Sequence, residues 1–162
     1  MIVDVALALL VVALAGVSCL AAWPERRGRP LRRWRPFALP LPIAASAVVL
    51  LLVPPSNDLR HPEVWMLGLL GIVAGLLRAA TIRLRTDYGN GYLLLRQASE
   101  GFWVALFALA LIVVDVVAEP FGVLYSAFVQ IVELILVVLA TFLLARNIAL
   151  LVRSRDVPHH GL

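Results

Sequence analysis

Five times along this chain an apolar run of membrane-crossing length, or close to it, ends at a proline or a charge. Ile2 to Ala22 is broken only by Asp4 and Ser18 among polar residues and stops at Trp23-Pro24. The runs that follow cover Phe37–Val53, Val64–Ile82, Phe102–Ala118 and Phe121–Ala145. About 20 apolar residues bridge a hydrocarbon core ~30 Å thick, so such segments cross a bilayer as helices. Of 162 residues 62% are hydrophobic and 15% charged, against about half and about a quarter in a soluble domain. The mean hydropathy of +0.97 agrees. The expected fold is an all-α polytopic membrane domain of about five helices filling the whole chain, residues 1–162. The polar stretches are too short to enclose a separate core.

The second run holds seventeen residues, with Pro40 and Pro42 near its start and Pro54-Pro55 after it. It extends only about 26 Å as a helix and barely reaches across. The first run resembles a retained anchor more than a cleaved signal, because Asp4 precedes it and the positive charges follow it.

All fourteen basic residues are arginine. Arg26, Arg27, Arg29, Arg32, Arg33 and Arg35 fall in the first loop, residues 23–36; Arg78, Arg83, Arg85 and Arg96 at the end of the third run and in the loop 83–101; and Arg146, Arg153 and Arg155 in the tail 146–162. With five crossings, all thirteen lie on one face and only Arg60 on the other. The positive-inside rule then places the N-terminus outside and the C-terminus in the cytoplasm of a bacterial plasma (inner) membrane. The six arginines of the first loop are expected to contact anionic headgroups. Docking of an acidic partner or a nucleic acid is the rival use of that loop, and topology alone accounts for its charge, so nucleic acid is not an expected partner.

In the second inside loop Ile82, Leu84, Thr86 and Tyr88 alternate with Arg83, Arg85 and Asp87, ahead of Gly89-Asn90-Gly91. Alternation followed by a glycine-rich turn predicts a small cytoplasmic β-hairpin. The competing expectation is that the flanking helices run on and break at the glycines. A lone hairpin is marginal in water and needs the membrane or the first loop to rest on.

The basic first loop, Leu39-Pro40-Leu41-Pro42 opening the second run, the glycine-rich third run, Gly89-Asn90-Gly91-Tyr92-Leu93, two closing runs and a basic tail together resemble the CcdC-like small membrane proteins. That resemblance implies an association with cytochrome c biogenesis and no activity of the chain's own.

Motifs for catalysis are lacking: the sequence has no HExxH, no GxSxG and no P-loop. Cys19 is the single cysteine, which excludes a disulfide framework and a CxxC redox pair. His61 stands alone, and His159-His160 near the end of the chain reads as a polar terminus more than as a metal site. No cofactor or metal is expected.

The polar residues inside the runs are the candidate sites. Ser126, Gln130, Glu133 and Thr141 recur at helical spacing in the last run, and Asp115 lies near the end of the fourth. Counted from Phe121, Glu133 lies about 18 Å deep. An ionisable group at that depth is a functional candidate, or it is neutral or paired and holds helices together. In the third run Gly68, Gly71 and Gly75 form a small-residue stripe for close helix packing. Arg78, counted from Val64, comes within about 3 Å of the depth of Glu133, so an Arg78–Glu133 ion pair is geometrically possible; the alternative is that Arg78 snorkels to the headgroups. The functional expectation is an accessory or assembly factor acting with a membrane-protein partner or as a homo-oligomer. The alternative is a small proton-coupled carrier or channel subunit using Glu133.

Overall fold

The computed structural model describes residues 2–26, 31–32, 40–52, 62–87, 92–96, 99–118 and 125–155. It is a helical bundle with a small sheet at one end. The helices are α1 (Ile2–Arg26), α2 (Pro40–Leu52), α3 (Pro62–Thr81), α4 (Glu100–Ala118) and α5 (Tyr125–Arg155). Four of the five are long and apolar enough to cross a membrane.

Helix α2 is the exception. Its thirteen residues rise about 20 Å, short of a ~30 Å core. The expected span began at Phe37, but Pro40 opens the helix, where a missing N–H costs nothing. The helix is nonetheless built into the bundle. Ser46 is buried and donates its hydroxyl to the Val11 carbonyl of α1 at 3.2 Å and to the Pro42 carbonyl at 2.9 Å.

Helix directions follow from the contacts. Trp23 meets Phe102 edge to face, with centroids 5.5 Å apart, and a groove is shared by Ala13 and Gly16 of α1 with Leu109 of α4. Helices α1 and α4 therefore run antiparallel. Val64 packs near Val137, Gly75 against Phe142 and Ala145, and Ile82 near Leu150. Both numbers rise together, so α3 and α5 run parallel. Helices α1 and α3 both end at the same end of the bundle, and α2 lies between them in sequence.

Close packing of α3 on α5 rests on the glycine stripe. Val64, Gly68, Gly71, Gly75 and Ala79 are the buried residues of α3, and they recur every three or four positions, as one helix face requires. A methyl group at Gly71 would collide with the Thr141 hydroxyl and the Val138 carbonyl, and one at Gly75 with the Phe142 carbonyl and the Arg146 amide. At Gly68 the nearest atoms, on Val137 and Thr141, are 3.7 and 3.8 Å away and leave room. The rest of the core joins Val11, Ala15, Ile43, Ala47, Ala105, Ala108, Ile112, Val132 and Leu136.

Helix α5 is longer than the expected last span, which stopped at Ala145. Its 31 residues rise about 46 Å, more than a bilayer core, so Arg146 belongs to the helix and not to a tail. Arg153 of its last turns donates to the carbonyls of Ala79 and Ile82. Those carbonyls sit at the end of α3, where no helical N–H remains to meet them. Helix α1 likewise continues through Pro24 to Arg26, past its expected end at Ala22.

Three short strands form one sheet: β1 (Leu31–Arg32), β2 (Arg83–Asp87) and β3 (Tyr92–Arg96), in the order β1-β3-β2. Arg83 is opposite Arg96 and Asp87 opposite Tyr92, antiparallel, while Leu31 is opposite Leu93 on the other edge of β3. The expected turn Gly89-Asn90-Gly91 lies outside the described residues, as do His61, His159 and His160.

Candidate functional site: a charged layer at one end of the bundle

Four helices bring ionisable side chains to a single level. Glu25 comes from the last turn of α1, Arg78 from the last turn of α3, Glu100 from the first residue of α4, and Arg146 from the interior of α5. Arg146 donates from Nη2 to Glu25 Oε2 at 3.3 Å and to Glu100 Oε1 at 3.5 Å. Arg78 donates from Nε to the same Glu100 oxygen at 3.1 Å. Two guanidinium groups and two carboxylates thus form one chain of charge, formally neutral, across α1, α3, α4 and α5.

Burial is graded along this chain. The side chains of Arg146 and Glu25 are 0% and 3% exposed, those of Glu100 and Arg78 24% and 40%. The inner pair is therefore the costly one to break. Charges taken out of water are held by each other and by hydrogen bonds, and removal of one partner strands the other. The outer pair is partly solvated and contributes little. Each guanidinium also has an uncharged neighbour: Arg146 Nη1 donates to Asn147 Oδ1 at 2.9 Å and Arg78 Nη1 to Thr81 Oγ1 at 3.0 Å. Arg146 Nε and Asn147 Nδ2 are buried without a hydrogen-bond partner among the described residues.

Glycine makes the inner pair possible. A Cβ at Gly101 would strike the Glu25 carboxylate and stand 2.9 Å from Arg146 Nη1. The second residue of α4 must lack a side chain for Glu25 to reach over the helix start. There the free N–H groups and the helix dipole favour negative charge.

The Arg78–Glu133 pair that depth counting allows does not form, and the register explains why. Val64 lies level with Val137, near the middle of α5 and not at its start, so α3 is displaced along α5 towards the charged layer. Arg78 ends up beside Arg146, with which it shares Glu100. From Glu133 to Arg146 is thirteen residues, about 20 Å along the helix. Depths counted from the ends of the apolar runs assumed that all runs begin at one plane, and these do not.

The other polar candidates are spread along the bundle. Glu133 and Asp115 are buried, 5% and 4% exposed. Asp115 is fifteen residues past Glu100, about 22 Å, so the two acids stand at comparable distances from the charged layer. On the proposed polar stripe of α5, Thr141 is half-buried and donates to the Val137 carbonyl at 2.7 Å, whereas Gln130 is exposed. The Ser126 side chain lies outside the described residues. So do those of the first-loop arginines: Arg26 ends α1, Arg32 is in β1, and Arg27, Arg29, Arg33 and Arg35 are not described.

Sequence reasoning missed Glu25, Glu100 and Arg146 as site residues because each sits at a predicted helix boundary, where charge is ordinary. The available signal was the acid at each predicted end, Glu25 and Glu100, with Gly101 beside it. Among the described residues no group of three or more histidine, cysteine or acidic side chains is placed to hold a metal ion. Comparisons with family models, with curated proteins and with solved structures return no match.

Proposed function

We propose that this chain is an accessory or assembly factor of a larger membrane system, with no catalytic centre of its own. It resides in the bacterial plasma membrane with its N-terminus outside and its C-terminus in the cytoplasm. The charged layer carries this reading. Its two cations and two carboxylates face each other, so their chemistry goes into joining four helices and not into a substrate. Outside its glycine stripe, α3 presents Trp65, Met66, Leu69, Leu70, Val73 and Leu77, an apolar surface suited to lipid or to a partner helix.

The arginine asymmetry supports the orientation, with the charged layer and the three strands on the cytoplasmic side. The resemblance to the CcdC-like proteins makes cytochrome c biogenesis the first system to examine. Purification in mild detergent, followed by identification of co-purifying proteins, tests the reading. Stoichiometric membrane-protein partners support it, and a partner-free homo-oligomer that conducts protons in liposomes contradicts it.

One observation favours the second reading, a small proton-coupled carrier or channel subunit. Asp115 and Glu133 are both buried, at comparable height and about 20 Å from the arginines of the charged layer. Buried carboxyls in a membrane bundle mark proton pathways. Proton flux in liposomes that Glu133→Gln abolishes, with folding intact, supports the carrier.

A further inference from the structure

A groove of about 430 Å³ runs between α1 and α4, lined by Ala13, Gly16, Val17, Leu20 and Trp23 on one side and by Phe102, Leu106 and Leu109 on the other, with Cys19 at its wall. Its size falls within the range of about 300–1,000 Å³ typical of ligand sites. We propose that it holds one hydrocarbon chain of an anionic phospholipid from the leaflet on the side of the charged layer.

Length, position and charge point to that occupant. Ala13 to Trp23 spans ten residues, about 15 Å of helix and half of a ~30 Å hydrocarbon core. One leaflet's acyl chain has that reach. The groove ends at the charged layer beside Trp23 and Trp103, which are 41% and 52% exposed and suit the headgroup boundary. Just past Trp23, α1 ends at Arg26, and the sequence goes on to Arg27 and Arg29. The acids of the charged layer, Glu25 and Glu100, are both held by arginines, Glu25 by Arg146 and Glu100 by Arg78 and Arg146, which offsets their repulsion of a phosphate. The wall is open at Gly16, where an added Cβ meets nothing within 4 Å among the described residues. A larger side chain there fills the groove without displacing protein.

The inference rests on the bundle being embedded in a bilayer and is independent of the accessory role. Retention of the chain in carbonate-washed membranes tests the embedding separately. Native mass spectrometry of the full chain, in mild detergent with added phosphatidylglycerol or phosphatidylcholine, tests the site. The wild type should retain one phosphatidylglycerol in preference to phosphatidylcholine, and that lipid should raise its melting temperature by mass action. Gly16→Leu should lose both the bound lipid and the lipid-dependent rise, while melting like the wild type in detergent alone. Leu106→Trp, filling the groove from the other wall, should do the same. Arg26→Gln should weaken the preference by about fivefold, the effect of one arginine beside an anionic headgroup. Retention of the lipid by both filling variants, or equal retention of the two lipids by the wild type, overturns the proposal.

Discussion

Arg146 and Glu25, separated by 121 positions in sequence, meet at 3.3 Å in the interior of the bundle. The arginine is wholly buried, and the carboxylate reaches it across a helix start that glycine keeps open. The contact ties the first helix to the last and fixes where α4 begins.

Glycine substitutions should separate the tight part of the α3–α5 interface from the loose part. Gly71→Ala and Gly75→Ala force the helices apart and should lower the melting temperature clearly. Gly68→Ala should be nearly neutral, since its neighbours stand at ordinary contact distance. Thermal melts of the three variants in one detergent check this, and equal losses would mean that the stripe is packed uniformly.

Arg78 and Glu133 should behave as independent sites. They stand about 20 Å apart along the bundle, and losses from distant sites add to within about 0.5 kcal/mol. Arg78→Gln alone should cost no more than about 1 kcal/mol, because its bond to Glu100 is partly solvated. Recovery of stability in the Arg78→Gln/Glu133→Gln double mutant would show coupling that this register forbids.

The orientation can be read by labelling. In a Cys19→Ala background, Ser56→Cys should react from the outside and His160→Cys only from the inside. Labelling of both from one side would mean that α2, with its thirteen residues, does not help return the chain across the bilayer.

Four of the helices were legible in the sequence because each is a long apolar run, and the glycine stripe was legible because its spacing matches one helix face. The packing partner of that stripe was not. The sequence shows which residues share a face but not how far one helix slides along another, and a slide of about 20 Å puts Arg78 beside Glu100 and away from Glu133. In the sequence Arg146 looks like the start of a tail, because arginine after an apolar run satisfies the positive-inside rule whether it is solvated or buried. Strand β1 gave no signal either, since two residues are too few to show alternation.

A double-mutant cycle on Glu25 and Arg146 tests the central claim, that this buried pair locks the bundle at one end. Glu25→Gln and Arg146→Gln each leave a charge or a donor stranded in the interior, a loss of ~3 to 5 kcal/mol in a well-buried site and less where water reaches it. Thermal melts in a single detergent should show both variants strongly destabilised and the double mutant recovering a clear part of the loss. Losses that simply add, or two single variants that melt like the wild type, would contradict the account.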